Sequence, residues 1–368
     1  MKVINTGTKY DIYPDDLKSY DKLPAEYYIV RFNPKHGFYL EQYYEFTIPD
    51  SKIYGVHLEK VNKVLSSYKV FNRNLGVILS GDKGIGKSLF ARLLGKEAVA
   101  GGIPVIIVDA FVDGVGSFID RIDQEVMILF DEFDKTFVKG GDTEVDPQAA
   151  MLSLFDGVSQ GKKLFVVTCN ELRGLNSFLV NRPGRFHYHF RFNYPTVDDI
   201  KEYLNDKLCE FAKEEIENVV SFSNRVALNY DCLRAIAFEL ILGLTFQEAI
   251  GDLNIINIKN EQYEIILRFE DGTILTNRRF STDLFNDEEK KAELYDRQGK
   301  YSGEVSFMPE AVKFNSMTGE MYINPEDVTL DYAYYYDRAK KKKEKLLAKR
   351  LLSIIIRRAE ENRLHYAV

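Results

Sequence analysis

Eight consecutive residues, Gly81-Asp82-Lys83-Gly84-Ile85-Gly86-Lys87-Ser88, carry the strongest chemical signal in the chain. Their glycines free the backbone to curl, so that successive N–H groups face one point. A lysine and a hydroxyl then follow at the spacing GxxxxGK[ST]. Curled N–H donors at a helix N-terminus supply positive potential and suit phosphate groups. Lys87 would reach the β- and γ-phosphates, and the Ser88 hydroxyl would complete a Mg²⁺ shell. The expectation is that Gly81 to Leu89 bind a nucleoside triphosphate. The competing reading is a glycine-rich turn with no ligand, and the flanking sequence weighs against it.

Two carboxylates come next. Val126-Met-Ile-Leu-Phe130 is an apolar run that delivers Asp131-Glu132 to its end, 44 residues after Lys87. In open α/β sheets, ligands bind at the carboxyl ends of the strands. Asp131 there would hold Mg²⁺ through water, and Glu132 would polarise the water that attacks the γ-phosphate. A third run, Leu164-Phe-Val-Val-Thr168-Cys169, ends in Asn170. Asn170 either orients the attacking water or caps a turn. Arg182-Pro183-Gly184-Arg185 puts two guanidinium groups on a rigid turn; they suit transition-state phosphate charge, although surface turns look alike.

These residues need elements to hold them. Leu75–Ser80 reads as a buried parallel strand, and Leu89-Phe-Ala-Arg-Leu-Leu94 starts a helix with apolar residues at helical spacing. Further strands are expected at 103–108, 126–130, 163–168 and 186–192, with helices at 87–99 and 147–155 between them. This alternation argues for an α/β domain with a mostly parallel sheet. Residues 1–50 read as a small β-containing segment, and 56–68 as a helix. After Pro195-Thr196 the pattern turns helical, to about residue 252. From Asn254 it turns β-like, with turns at Asp271-Gly272, Gln298-Gly299 and Thr318-Gly319. The last 32 residues read as a basic helix, Lys340–Lys343 in its first turns and Leu347, Leu351, Ile354 and Ile355 along one side.

Taken in order, these motifs resemble the AAA+ ATPases, close to their protein-remodelling AAA branch. Gly81–Ser88 matches Walker A, and Ile128-Leu-Phe-Asp131-Glu132-Phe-Asp134 matches Walker B. Leu152-Ser-Leu-Phe-Asp156-Gly157 is similar to the family's Leu-Leu-x-x-x-Asp-Gly segment. Thr168-Cys-Asn170 resembles sensor 1, and Arg182-Pro-Gly-Arg185-Phe resembles the second region of homology. The resemblance covers residues 50 to 252. It implies a five-stranded α/β core over 51–195, a helical lid over 196–252, and a ring that usually has six subunits. Arg182 and Arg185 would then be arginine fingers acting on a neighbour's γ-phosphate. Arg234 falls where a sensor-2 arginine sits, with an exposed helix arginine as its alternative, and Ile53 and Tyr54 match the linker that packs on adenine. Two features depart from the pattern. Only Phe111 occupies the place of the aromatic pore loop, where it either grips a polypeptide or belongs to the core. His187 and His189 stand where the family commonly has Asp; they share one strand face without a third metal ligand nearby.

Function follows as an expectation: ATP hydrolysis with Mg²⁺ at the subunit interfaces of a ring, used to remodel a protein or protein assembly. A nucleic-acid-linked motor or loader and a nucleotide-gated scaffold are the alternatives. The net charge of −7 hides an asymmetry, because residues 337–368 hold 11 Lys/Arg against 4 Asp/Glu. An acidic body disfavours broad nucleic-acid binding and leaves that contact to the basic tail. The tail is otherwise read as a solvated helix docked on the β domain (253–336) or a partner subunit, or as a contact for anionic membranes or acidic partners. No apolar run is long enough to span a bilayer. Cys169, Cys209 and Cys232 form no metal spacing and no disulfide framework, so a reducing cytoplasm is the expected compartment. The Tyr-, Asn- and Lys-rich, Trp-free composition fits a low-GC genome such as a bacteriophage's.

Overall fold

A computed structural model describes residues 1–5, 7, 8, 10–13, 18–48, 52–138, 146–156, 161–208, 213–255, 261–315, 318, 320–332, 334–337, 342–345 and 350–359. Gly157, Cys209, Gly319, Lys340, Lys341 and Leu347, named above, lie outside the described residues. The chain divides into two compact units, Met1–Asn193 and Tyr194–Val368.

The first unit opens with a hairpin, β1 (Lys2–Asn5) and β2 (Tyr10–Tyr13). It continues through β3 (Tyr27–Asn33), β4 (Gly37–Gln42), α1 (His57–Val70), β5 (Leu75–Ser80), α2 (Lys87–Ala100) and β6 (Val105–Val108). Then come α3 (Val115–Asp120), β7 (Val126–Phe130), α4 (Phe133–Thr136), α5 (Pro147–Ala150), α6 (Leu152–Phe155), β8 (Lys163–Cys169) and β9 (Tyr188–Arg191). The helix expected over 147–155 is two short ones, broken at Met151. Seven strands form one sheet in the order β4-β3-β6-β7-β8-β5-β9. The expected five strands (β5 to β9) are all parallel, and the sheet is wider than expected. The N-terminal segment widens it: β3 adds parallel to β6, and β4 closes the edge antiparallel to β3.

Burial explains why the central strands are continuous apolar runs. Every residue of β5, β7 and β8 is buried, as expected for a parallel sheet covered on both faces. Parallel pairing brings their carboxyl ends to one edge, with Ser80 opposite Cys169 and Phe130 opposite Val167. Gly81, Asp131 and Asn170 therefore emerge side by side. Gly76 in β5 meets a second constraint: a Cβ there would lie 2.2 Å from the Arg185 carbonyl oxygen. Only glycine lets the arginine turn pack this close to the strand. Phe111, the candidate pore residue, is instead partly buried on the core, edge-on to Phe137 at 5.6 Å.

The second unit starts with four helices, α7 (Val197–Lys207), α8 (Lys213–Ser223), α9 (Tyr230–Ile241) and α10 (Phe246–Asp252). Capping boxes at Thr196–Asp199 and Thr245–Glu248 fix two of the helix starts. The strands follow as β10 (Glu261–Phe269), β11 (Ile274–Thr282), β12 (Lys290–Tyr295), β13 (Tyr301–Phe307), β14 (Lys313–Asn315), β15 (Glu320–Ile323), β16 (Val328–Tyr332), β17 (Tyr334–Asp337), β18 (Lys342–Lys345) and β19 (Leu351–Arg358). Eight of them form an antiparallel sheet in the order β14-β15-β19-β10-β11-β12-β13-β16, and the expected turns at Asp271-Gly272 and Gln298-Gly299 join paired strands.

The expected C-terminal basic helix is corrected by this sheet. Leu351–Arg358 is a central strand paired with β10 and β15, and Lys342–Lys345 pairs with β17. Ile354 and Ile356 are buried while Ile355 between them is less so, which is the period-two pattern of a strand. The nucleic-acid contact expected of a basic helix thus loses its helix over these described residues. Among the described residues, no helix is long and apolar enough to cross a membrane.

Candidate functional site

The loop between β5 and α2 owes its curl to Gly81, Gly84 and Gly86, at φ of 137°, 75° and 98°. Gly86 is the N-cap of α2, so the first helical N–H groups open into the loop. Lys87 is buried, and its ammonium donates to the carbonyls of Gly81 and Asp82 (2.6 Å to the latter) and to Asn170 Oδ1 at 3.0 Å. Burial lowers the Lys87 pKa; Cys169, Asp82, Asp134 and Asp131 oppose that shift. Ser88 is exposed at the start of the helix.

Four hydrogen bonds from two side chains tie the ends of β7 and β8 together. Thr168 Oγ1 donates to Asp131 Oδ1 at 2.6 Å and accepts the Glu132 backbone N–H at 2.8 Å. Asp134 Oδ2 accepts the backbone N–H groups of Asn170 at 2.9 Å and Glu171 at 3.2 Å. Asp134 Oδ1 is buried and has no hydrogen-bond partner among the described residues. Glu132 sits in the left-handed region (φ 47°), which turns its side chain out of the strand, and the side chain is 51% exposed. Lys135, one turn on, holds Glu132 Oε1 at 2.5 Å. This bond keeps the Glu132 carboxyl below the usual carboxylate range. Thr168 and Asp134 were not singled out from sequence, although both lie inside the quoted motifs.

The two arginines have different surroundings. Arg185 is buried; it makes a two-toothed ion pair with Asp156 (Nη2 to Oδ2 at 2.7 Å) and donates from Nη1 to the Phe178 carbonyl at 2.6 Å. That pair lowers the Asp156 pKa and raises that of Arg185. The Arg185 guanidinium is thus engaged within its own chain, where it braces the turn that carries Arg182. Arg182 is exposed, stacked over Phe178 at 5.4 Å.

The remaining expected residues are dispersed. Ile53 is half-buried and Tyr54 buried, before α1. Arg234 is exposed on α9 of the second unit and pairs with Asp231 at 3.2 Å. His189 bonds Ser80 Oγ at 2.6 Å, His187 stands edge-on to Phe71, and the described residues include no cluster of three or more potential metal ligands. One residue carried no sequence signal. His57, the first residue of α1, is 5% exposed, stacks on Phe192 at 4.9 Å and reaches toward Gly86. Burial lowers its pKa, the backbones of Tyr54 and Gly86 pull the other way, and the Lys60 charge adds to the lowering.

The donor set fits a Mg²⁺-bound nucleoside triphosphate. The glycine curl and helix N-terminus offer N–H groups to phosphate, and Lys87 brings its charge into the same loop. Thr168 occupies Asp131 Oδ1, which leaves Oδ2 for a hydrated cation, and the exposed Ser88 hydroxyl at the start of α2 is a second oxygen ligand for it.

Comparison with known proteins agrees with this geometry. Residues 77–194 match the family described as "ATPase family associated with various cellular activities (AAA)". The chain is also similar to the vesicular-fusion protein sec18 of Schizosaccharomyces pombe, 28% identical over 182 residues. That match covers 43% of this chain and 23% of sec18, so the chain spans about a quarter of that relative's length. Residues 77–194 thus form a domain of the AAA ATPase family, and both matches support the AAA+ superfamily for that part of the chain.

Proposed function

We propose that the chain is a Mg²⁺-dependent ATPase that hydrolyses ATP at the subunit interfaces of a ring and uses the cycle to remodel a protein or protein assembly. The observation that carries this reading is the bracing of β7 and β8 beside the glycine loop, which gathers carboxylates, a polar amide and an ammonium at one sheet edge. Gly81 to Leu89 cradle the phosphates, and Lys87 turns its ammonium from the loop carbonyls to the β- and γ-oxygens. Bound Mg²⁺, held by Ser88 and through water by Asp131, would neutralise the phosphate charge. Glu132 accepts the proton of the attacking water, ionised by the field of Lys135, while the Asn170 amide orients that water. Ile53 and Tyr54 pack on the base. The lid role of residues 196–252 and the sensor-2 role of Arg234 rest on the family resemblance alone.

Exposure supports Arg182 as the residue that acts on a neighbour's γ-phosphate, with Arg185 shaping the turn that presents it. The name of sec18 associates that relative with vesicular fusion, and this favours a protein assembly as substrate over nucleic acid. The test is subunit mixing. Arg182→Ala and Lys87→Ala chains, each inactive alone, should regain ATPase activity when mixed, because some interfaces then carry both intact halves. No recovery at any ratio would refute the shared site.

A further inference from the structure

We infer that His57 is a positioning residue that couples the base-binding turn at Ile53–Tyr54 to the phosphate loop at Gly86. The inference rests on the nucleotide reading above and goes beyond it by naming the link between the two halves of the site.

The geometry runs from one half to the other through a single ring. Nδ1 of His57 lies 3.1 Å from the Tyr54 carbonyl oxygen. A carbonyl can only accept, so Nδ1 carries the hydrogen. Burial lowers the ring's pKa, and the Tyr54 and Gly86 backbones on either side of it oppose that shift. Nε2 stands 2.6 Å from where a Cβ on Gly86 would lie and makes no hydrogen bond among the described residues. Gly86 is at φ +98° and directly precedes Lys87, so the imidazole edge occupies the space that a side chain on the loop would need. Phe192 stacks on the ring from β9's end of the sheet, and Phe90 flanks it from α2 at 6.4 Å. The charged groups nearby on α1 are Lys60 and Glu59, and on α2 Lys87 follows Gly86. A ring stacked on Phe192, flanked by Phe90 and donating to the Tyr54 carbonyl shifts only together with the Tyr54 turn or the loop. Packing that joins the two segments through one ring lets occupancy of one subsite bias the affinity of the other.

The consequence is specific to nucleotides. Phosphates alone need only the loop, whereas a base and triphosphate together draw on the coupling. His57→Phe keeps the ring and its stack on Phe192 but cannot donate to Tyr54. His57→Asn keeps a donor for Tyr54 but withdraws the edge from Gly86. Both variants should weaken ATP by about tenfold, within the usual range of coupling between sites. Both should bind inorganic tripolyphosphate within about twofold of wild type.

Calorimetric titration of the full chain with ATP and with tripolyphosphate, alongside melting curves, reads this directly. Equal losses for the two ligands would show a merely structural role and overturn the coupling. Wild-type protein that binds neither ligand would instead overturn the nucleotide reading, and the coupling with it. A second measurement needs no variant: the His57 ring resonances of the wild type should move on adding adenosine alone and on adding tripolyphosphate alone. A response to only one of them would also overturn the proposal.

Discussion

Thr168→Val is the substitution that bears hardest on how the candidate site is held. Thr168 is 1% exposed, and its hydroxyl serves the Asp131 carboxylate and the Glu132 N–H at once. Valine fills the same volume without the hydroxyl. A hydrogen bond to a charged group contributes about 1.5–3 kcal/mol and a neutral one about 0.5–1.5 kcal/mol. Asp131 is only half-buried, so water takes over part of the lost contact, and a loss of about 2 kcal/mol is expected. For a unit of this size that corresponds to a fall of about 4–8 °C in melting temperature. The functional loss should be larger. Asp131 and Glu132 lose their common anchor, and misplacing reacting groups by about 1 Å costs on the order of 10²-fold in rate. Thermal unfolding and steady-state ATPase kinetics measure the two effects, and Thr168→Ser, which restores the hydroxyl, is the control. A Val variant within about 0.5 kcal/mol of wild type and with full turnover would refute the brace.

Two further predictions separate neighbouring roles. Lys135 lowers the Glu132 pKa, so the base stays ionised to lower pH than an ordinary glutamate. Lys135→Ala should move the acid limb of kcat/KM to higher pH; a limb that stays put or moves lower would contradict the pairing. Arg185→Ala should destabilise the first unit by about 1–3 kcal/mol, because it leaves Asp156 and the Phe178 carbonyl without their donor. Arg185→Lys should not restore it, since an ammonium cannot reproduce the two-toothed contact. A melting temperature for Arg185→Ala equal to that of wild type would refute the brace.

The sequence was most legible where one local pattern settles the structure. The apolar runs before Gly81, Asp131 and Asn170 became buried parallel strands, since a sheet covered on both faces requires continuous apolar residues. Long-range partners were harder to read. Tyr27–Asn33 is recognisably β-like, yet nothing local says that it extends the central sheet beside β6. Lys-rich flanks and Leu at three- and four-residue spacing suggested a helix for the C-terminus, but Ile354-Ile-Ile356 is β-branched and pairs with a strand about 90 residues earlier. Arg182 and Arg185 look equivalent on their Pro-Gly turn. Asp156, 29 residues before Arg185, distinguishes them. A single histidine carries no motif, so only the packing between Tyr54 and Gly86 gives His57 a role.

The central claim is that Glu132 is the base of an ATPase whose substrate binds at Gly81–Ser88. The direct measurement is [γ-³²P]ATP binding and single-turnover hydrolysis by wild type and Glu132→Gln. The account predicts that the variant binds ATP with near wild-type affinity and releases phosphate at least about 10²-fold more slowly, as expected when a general base is removed. Glu132→Gln that hydrolyses ATP at the wild-type rate would contradict it.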